Sequence, residues 1–269
     1  IVGGMDYEEQ RRQLRDHVVD ILVATPGRLI DFMGSQDVYL DGVDVLVLDE
    51  ADRMLDMGFI PDVRRIERAT PTKGDRQTLF FSATFTDAIR RLIDQWTHEP
   101  VEVTIEPEQV ATDNIDQKFL MVAGDEKFDI LCKYLREEKI ERAIIFANRR
   151  DITRKLCDRL NKQGLVAGLL SGEVNQQKRI KTLERFRDGS LPLLVATDVA
   201  GRGIHVDGVS HVFNYNLPDD SEDYVHRIGR TGRAGTKGTS IALISEDDAF
   251  ELPALEEYLG TKLKLEQPR

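Results

Sequence analysis

The 269 residues of this chain suffice for about two domains of ordinary size, and a hydrophobic content of 41% is typical of a globular protein. With 37 basic and 48 acidic residues the formal charge is -11, so a nucleic-acid site would have to be a local basic patch. No apolar run reaches the ~18 residues of a membrane span, and two cysteines are too few for a disulfide framework or a zinc site. We therefore expect a cytoplasmic protein.

The N-terminal part of the sequence alternates between helical and extended patterns. In chain order it predicts a helix over 7–16, a strand over 19–24, a helix from Pro26 onward, a strand over 43–48, a further helix and a strand over 77–81. Parallel strands need helical crossovers between them, so this alternation is typical of a parallel α/β sheet. We expect the strand over 43–48 to be buried, because its residues are almost continuously apolar.

A polar stretch without a sustained period separates this pattern from a second α/β pattern. The second pattern predicts helices over 126–138, 150–163, 175–187 and 221–229, and strands over 143–147, 167–170, 191–196, 209–215 and 239–245. Leu252, Leu255 and Leu259 then lie at helical spacing ahead of Gly260, which predicts a closing helix. The predicted organisation is a first α/β domain over 1–104, a linker over 105–118, a second α/β domain over 119–251, and a helix with a tail over 252–269.

Three carboxylates follow the predicted strand over 43–48, namely Asp49, Glu50 and Asp52. In open α/β sheets, ligands bind beyond the carboxyl ends of the strands. Mg²⁺ prefers one or two carboxylates together with phosphate oxygens and water, so Asp49 is a candidate magnesium ligand. Glu50 could orient or deprotonate an attacking water. On these letters alone, a solvated acidic strand end explains the pattern equally well.

Hydroxyl side chains follow the next predicted strand, over 77–81. Ser82 and Thr84 would lie at the same edge of the sheet as the carboxylates and could hydrogen-bond Asp52. The alternative is a Ser/Thr helix cap.

Two stretches of the second domain favour phosphate recognition. Residues 226–233 carry three arginines within seven residues, and guanidinium groups grip phosphate oxygens in a fixed fork. Residues 197–203 follow a predicted strand and contain two glycines, which allow close approach of the backbone to a phosphate chain. The alternative for the arginine-rich stretch is a basic surface turn.

The literal string Asp49-Glu50-Ala51-Asp52, with Ser82-Ala83-Thr84 downstream, resembles the DEAD-box family of ATP-dependent RNA helicases. Further matches to family motifs occur in the expected order at Gly3-Gly4, Thr25–Arg28, Ile144–Arg150, Thr197–Gly203 and His226–Arg233. The resemblance covers nearly the whole chain. It implies two tandem RecA-like parallel-sheet domains, of which the first is incomplete here, and coupling of ATP hydrolysis to local unwinding of short RNA duplexes, as in RNA turnover.

The resemblance also implies roles for individual residues. The catalytic set would be Asp49, Glu50, Asp52, Ser82, Thr84, His226, Arg230 and Arg233, with Asp49 holding Mg²⁺. The ATP contacts would be Asp49, Glu50, Gly203, His205, Arg230 and Arg233. If two domains close on one nucleotide, Arg230 and Arg233 would act as arginine fingers, and His226 would meet the acidic motif.

For RNA, the candidate contacts are Gly4, Thr25, Gly27 and Arg28 in the first domain and Asn148, Arg149, Gln176, Arg179, Thr197 and Arg202 in the second. Small hydroxyls, backbone amides at helix starts and scattered arginines hold the phosphate–sugar backbone without reading bases. The sequence shows no interleaved aromatic residues of the kind that stack on bases, so we expect sequence-independent binding.

Two departures from the family pattern matter. His205 stands where the family most often has an aspartate that binds the ribose hydroxyls, and Asp207 is not expected to replace that aspartate. A histidine at this position resembles the bacterial RhlB-type helicases. This resemblance makes an RNA-degrading endonuclease a possible partner. No phosphate loop ending in Gly-Lys-Ser or Gly-Lys-Thr occurs in the 269 residues, and the chain begins without methionine. We therefore expect an N-terminal truncation and an inactive fragment. The alternatives are a non-hydrolysing RNA- or protein-binding module and, more remotely, a DNA helicase or an inert relative.

Overall fold

A computed structural model describes residues 1–104, 114–137, 140–201, 204, 206–232 and 235–268. The chain divides into two compact units, Ile1–Thr104 and Ile105–Arg269. Each unit is an α/β structure whose strand pairs are all parallel.

The first unit contains five described helices and two strands. In chain order they are α1 (Tyr7–Asp16), α2 (Pro26–Gly34), β1 (Val45–Leu48), α3 (Ala51–Asp56), α4 (Ile60–Glu67), β2 (Gln77–Phe80) and α5 (Asp87–Trp96). Local chemistry explains several of the boundaries. The carboxylate of Asp6 caps α1 by accepting from the Glu9 amide, Pro26 opens α2, and the hydroxyl of Thr86 caps α5.

Strands β1 and β2 pair in register from Val45 opposite Gln77 to Leu48 opposite Phe80. A core of six buried residues packs on one face of this sheet: Leu48, Ala51, Val63, Ile89, Leu92 and Trp96. The prediction that β1 is buried was wrong for its other face, where Val45 is 48% and Val47 is 51% exposed. No described element covers that face, so the continuous apolar run gives a strand buried on one side only.

The strand predicted over 19–24 is also not formed within the described residues. The segment is extended and its side chains do alternate, since Leu22 and Ala24 pack inward while Ile21 is 84% and Val23 is 76% exposed. Among the described residues, its backbone bonds only to Ile1, whose amine donates to the Val23 carbonyl; the amide of Thr25, directly after the segment, donates to the Ile1 carbonyl. One residue on each side does not make a ladder.

The second unit is built on a seven-stranded parallel sheet with the order β5-β6-β4-β7-β8-β3-β9. Its strands are β3 (Ile115–Met121), β4 (Ala143–Phe146), β5 (Ala167–Leu170), β6 (Leu193–Ala196), β7 (His211–Asn214), β8 (Gly238–Ile244) and β9 (Leu265–Glu266). Its helices are α6 (Lys127–Glu137), α7 (Arg150–Lys162), α8 (Gln176–Arg187), α9 (Asp198–Gly201), α10 (Ser221–Ile228) and α11 (Leu252–Leu259), with a 3-10 turn at Glu246–Asp248. Every residue of β4, β6 and β7 is buried, as expected for central parallel strands.

The predicted linker over 105–118 was wrong at its C-terminal end, because residues 115–118 form the first half of β3. Ile115 and Phe119 are buried, but Asp116 between them is exposed, so the polar side chains on the outer positions hid the strand. The closing helix is confirmed as α11. It ends at Gly260 in the left-handed conformation (φ 65°), where glycine carries no Cβ penalty.

Both cysteines are unpaired and buried. Burial raises the pKa of the Cys132 thiol, and it raises the pKa of Cys157 to about 11. These thiols are therefore core residues rather than reactive ones. Among the described helices, none has the length and apolar character needed to cross a membrane.

Candidate functional site

The acidic motif lies at the carboxyl end of β1, as predicted. Asp49 and Glu50 are exposed, while Asp52 lies in the first turn of α3 and is only 9% exposed. Glu50 has left-handed backbone angles (φ 53°, ψ 49°), which are rare for residues other than glycine. The chain therefore bends sharply at Asp49 and Glu50, between β1 and α3. Asp52 follows in α3 and faces the end of β2.

Asp52 joins the acidic motif to the turn after β2. Its Oδ2 accepts hydrogen bonds from the amides of Ala83 and Thr84, each at 3.0 Å, and from the Thr84 hydroxyl at 3.3 Å. The predicted contact of Thr84 with Asp52 is therefore present. Ser82 plays a different part: its hydroxyl accepts from the Asp52 amide at 3.1 Å and donates to the Thr84 carbonyl at 2.8 Å.

These bonds keep Asp52 ionised. Burial alone would raise the pKa of its carboxyl, but hydrogen bonds that include those from the amides of Thr84 and Arg53 outweigh burial, and the pKa lies below its ordinary value of 3.8. The negative charge of Asp52 is thus used inside the protein, to hold two strand-end segments together.

The predicted RNA contacts of the first unit lie next to one another. The amide of Gly3 donates to the Thr25 hydroxyl at 3.3 Å, and Arg28 donates to the Met5 carbonyl at 3.1 Å. Gly4 has a φ of 75°, which favours glycine, and a side chain at Gly27 would meet no atom within 4 Å. Gly3, Gly4 and the start of α2 thus form one surface, and the space above Gly27 is open.

In the second unit, the predicted RNA contacts lie at the carboxyl edge of the sheet. Arg149, after β4, is exposed and pairs with Asp151 at 3.1 Å. Thr197, after β6, is buried. Gln176 begins α8, and Arg179 on the same helix donates to the Ala200 carbonyl at 2.8 Å.

Asn148 uses its whole side-chain amide inside the protein. Its Nδ2 donates to the Leu217 carbonyl at 2.7 Å and to Asp219 at 3.0 Å, while its Oδ1 accepts from Arg227 at 2.7 Å. A contact of Asn148 with RNA would therefore go through its backbone.

Arg227 is the centre of this edge and is only 2% exposed. Its Nε and one terminal nitrogen donate to the two carboxylate oxygens of Asp198, at 2.5 and 2.7 Å. Its other terminal nitrogen donates to the side chain of Asn214 at 3.2 Å and to the Asn216 carbonyl at 2.7 Å. With the bond to Asn148, all five N–H donors of the guanidinium have an acceptor.

The other described members of the arginine-rich motif lie nearby. His226 is 3.7 Å from both Glu222 and Asp223 on its own helix. Arg230 donates to the carbonyls of His226, at 3.1 Å, and Ile204, at 3.0 Å. Four predicted site residues, Arg202, Gly203, His205 and Arg233, lie outside the described residues.

The first unit fits a magnesium ion that binds together with a nucleotide. Two exposed carboxylates, Asp49 and Glu50, stand at the strand end, and Mg²⁺ is commonly held by one or two carboxylates plus phosphate oxygens and water. The described part of the chain has no group of three or more His, Cys, Asp or Glu placed to hold a metal by itself. A magnesium ion here would take its remaining ligands from phosphates and water.

Comparison with known proteins gives matches to two family descriptions. Residues 1–92 match the DEAD/DEAH box helicase family, and residues 126–235 match the helicase conserved C-terminal domain. The ATP-dependent RNA helicase RhlB of Pseudomonas aeruginosa is 58% identical over 99% of this chain and 67% of that protein. The chain belongs to the DEAD-box family of RNA helicases. RhlB of Pseudomonas syringae is 57% identical with the same coverage, and RhlB of a Shewanella species is 46% identical over 97% of this chain and 59% of that protein.

Solved structures of DEAD-box proteins share the fold. Saccharomyces cerevisiae Dbp5 bound to RNA and ADP BeF3 matches with a TM-score of 0.80 and 33% identity, over 91% of this chain and 64% of that chain. Mss116p bound to ssRNA and AMP-PNP matches with a TM-score of 0.85 and 29% identity, over 100% of this chain and 57% of that chain. These matches confirm two RecA-like units. The chain spans 57% to 67% of the length of these relatives and solved structures.

Arg227 and Asp198 are the residues whose importance the sequence analysis missed, although the motif containing Arg227 was recognised. A signal was available in the periodicity of the predicted helix. Tyr224, Arg227 and Ile228 recur at helical spacing on one face, and all three are buried. A buried arginine needs acceptors for its charge, so this spacing predicts a partner carboxylate.

Proposed function

We propose that the complete protein is an RNA-dependent ATPase that separates short RNA duplexes locally, as in RNA turnover. The observation that carries the proposal is the Asp52 network, which connects the acidic motif after β1 to the hydroxyl motif after β2. In a helicase, such a hydrogen-bonded connection couples nucleotide hydrolysis at the first motif to a change of structure at the second. The 58% identity to an ATP-dependent RNA helicase supports it.

The residues at the end of β1 take separate roles in this proposal. Asp49 would hold Mg²⁺, which neutralises phosphate charge when it is bound with ATP. Glu50 orients the attacking water and accepts its proton. The arginine-rich motif contributes three further catalytic residues, His226, Arg230 and Arg233. Of these, Arg230 and Arg233 stabilise the charge that develops on the phosphate.

RNA binds along the phosphate–sugar backbone in this proposal. The first unit offers Gly4, Thr25, Gly27 and Arg28, and the second offers Arg149, Gln176, Arg179, Thr197 and Arg202 together with the backbone at Asn148. Backbone amides, hydroxyls and arginines contact phosphates without reading bases, so binding is expected to be independent of sequence. A cytoplasmic location and an RNA-degrading endonuclease partner remain predictions from the sequence.

The test is a matched pair of variants in the complete protein, Glu50→Gln and Glu99→Gln. Both glutamates are exposed and have left-handed backbone angles (φ 53° and 47°). The two substitutions therefore remove the same charge from the same strained backbone conformation. We expect Glu50→Gln to abolish RNA-stimulated release of phosphate while RNA affinity is retained, and Glu99→Gln to leave both unchanged. Full turnover by Glu50→Gln would refute the assignment.

A second function is favoured for the 269 residues by themselves, since they contain no Gly-Lys-Ser or Gly-Lys-Thr string. In that case the chain is a non-hydrolysing RNA- or protein-binding module. Calorimetric titration of the chain with Mg²⁺ and ATP separates the two possibilities. Absence of binding supports the module, and tight magnesium-dependent binding contradicts it.

A further inference from the structure

We infer that Arg227 is a positioning residue for RNA binding by the second unit: it fixes the segments that contact RNA and does not contact RNA itself. This inference rests on the proposed RNA-binding function. Only 2% of Arg227 is exposed, and each of its five N–H donors already has an acceptor inside the protein. No donor is left for a phosphate.

The acceptors come from the ends of three strands. Asn148 follows β4, Asp198 follows β6, and Asn214 ends β7. A guanidinium presents its donors in a rigid plane, so a single side chain sets the mutual distances of three segments. A lysine at this position has its donors on one atom and cannot span the same acceptors.

Two of these segments carry predicted RNA contacts. Asn148 immediately precedes Arg149, and its amide is locked between Arg227 and the loop that follows β7. Asp198 immediately follows Thr197 and opens α9, the four-residue helix that lies within the glycine-rich motif. Holding Asp198 therefore holds the backbone next to Thr197, the predicted RNA contact of this motif that lies within the described residues.

The loop after β7 is anchored independently from its other side. Asp248 accepts from the Leu217 amide at 2.9 Å and pairs with Lys127, which also donates to the Tyr215 carbonyl at 2.9 Å. This rear anchor shares no side chain with the Arg227 network. The core of the unit should therefore stay folded when the guanidinium of Arg227 is removed, although the segments that carry Asn148 and Asp198 become more mobile.

The direction in which Asp198→Asn changes the affinity for RNA tests the inference. If Asp198 acted on RNA only through its charge, removing a carboxylate beside a polyanion would strengthen binding. If Asp198 acts by holding Arg227 and α9 in place, the same substitution weakens binding. The side chain keeps its shape, so the direction of the change distinguishes the two.

The experiment measures the affinity of the 269-residue chain for a fluorescently labelled single-stranded RNA, with Arg227→Lys, Asp198→Asn and the double variant. The control is Arg76→Lys: Arg76 is a similarly buried arginine that pairs with Glu67 at 2.8 Å at the start of β2, away from the carboxyl ends of the strands. All variants are compared well below their melting temperatures. Hydrogen exchange of the Gly201 amide, which donates to Thr197 at 2.7 Å, reports on α9 directly.

We expect Arg227→Lys and Asp198→Asn each to weaken RNA binding at least about tenfold, which corresponds to ~1.4 kcal/mol of binding free energy. The double variant should be no weaker than the single ones, because both remove the same bond. Gly201 should lose protection from exchange while the rear-anchored Leu217 amide keeps it. Arg76→Lys should lower the melting temperature and leave the affinity within about twofold, since distant sites act independently.

Tighter binding by Asp198→Asn, or wild-type affinity in Arg227→Lys, would overturn the inference. A wild-type chain that binds no RNA would instead refute RNA binding by these 269 residues, which is the part of the proposed function on which the inference rests. In that case exchange of the Gly201 amide still decides the inference, because unchanged protection in Arg227→Lys would show that Arg227 does not hold α9.

Discussion

Both units use a buried charged side chain to hold strand ends together, Asp52 in the first and Arg227 in the second, but the two side chains bond to different kinds of partner. Asp52 in the first unit accepts four hydrogen bonds, three of them from backbone amides. Arg227 in the second unit donates five, four of them to side chains. Backbone amides are supplied by almost any sequence, whereas side-chain acceptors must be the right residues. The second network is therefore the more sensitive to substitution, and each of its members depends on the others.

Removing the guanidinium should have the largest effect. Arg227→Ala leaves Asp198 as an unpaired, partly buried charge, and we expect the second unit to lose about 3–5 kcal/mol of unfolding free energy. Denaturant unfolding measures this loss. Arg149→Ala, at an exposed ion pair, should change stability by at most about 1 kcal/mol. If Arg227→Ala and Arg149→Ala lowered the unfolding free energy equally, the buried network would contribute no more to stability than an exposed ion pair.

Removing the carboxylate of the first unit should cost less. Asp52→Ala leaves the amides of Ala83 and Thr84 without their acceptor, and a hydrogen bond to a charged group contributes about 1.5–3 kcal/mol. We expect a total loss of about 2–3 kcal/mol rather than the sum for two bonds, because the substitution also removes the cost of burying the carboxylate. Unfolding of the first unit measures this loss. Thr84→Val removes only the long hydroxyl bond and should cost less than about 1 kcal/mol. A Thr84→Val loss as large as that of Asp52→Ala would show that the hydroxyl, not the backbone, carries the network.

A substitution at the end of α9 tests whether packing assists Arg227. A Cβ at Gly201 would lie 2.4 Å from the ring of Phe146, so Gly201→Ala must displace the helix or the ring. We expect a loss of about 1–2 kcal/mol, as is usual for an added methyl group in a packed core. Phe146→Leu should restore part of the stability of Gly201→Ala. If the alanine costs nothing, Arg227 alone positions α9.

The strained residue beside Asp52 should respond in the opposite direction. Glu50→Gly removes the left-handed penalty of about 1–2 kcal/mol but adds freedom to the unfolded chain, for a net gain of about 0.5 kcal/mol. Thermal unfolding detects this gain. Asp49→Gly is the control, since its backbone is not left-handed. Destabilisation by Glu50→Gly would show that the side chain of Glu50 supports the turn.

Acid should also weaken the Asp52 network. Because the pKa of Asp52 is lowered by folding, its contribution is present above the ordinary pKa of 3.8 and is lost as the pH falls through the lower folded value. We expect the stability of the first unit to fall more steeply in this range for the wild type than for Asp52→Asn. Parallel pH profiles would show that Asp52 makes no net contribution as an ion.

Sequence reasoning placed the elements whose local chemistry is strong. The proline that opens α2 and the left-handed Gly260 after α11 mark helix boundaries through conformational preferences that a single residue imposes. Strand β3 was missed because its exposed positions are polar and its pairing with the distant β8 leaves no local signal. The extended segment over 19–24 shows the converse, since alternation alone does not supply a neighbouring strand.

The candidate site divides in the same way. The carboxylates and hydroxyls of the first unit were found because they stand in contiguous motifs at strand ends. The pairing of Arg227 with its acceptors was not found, since Asn148, Asp198 and Asn214 lie in three different parts of the chain and meet only through the strand order of the sheet.

The unequal sheets have a consequence for how the chain opens. The two-stranded ladder of the first unit has one apolar face in water, whereas the central strands of the seven-stranded sheet are buried throughout. Segments with little buried apolar surface open at lower free energy than the rest of a protein. A protease added under native conditions should therefore digest the first unit first and leave a resistant fragment, starting near β3, in which Arg227 and its acceptors are still assembled.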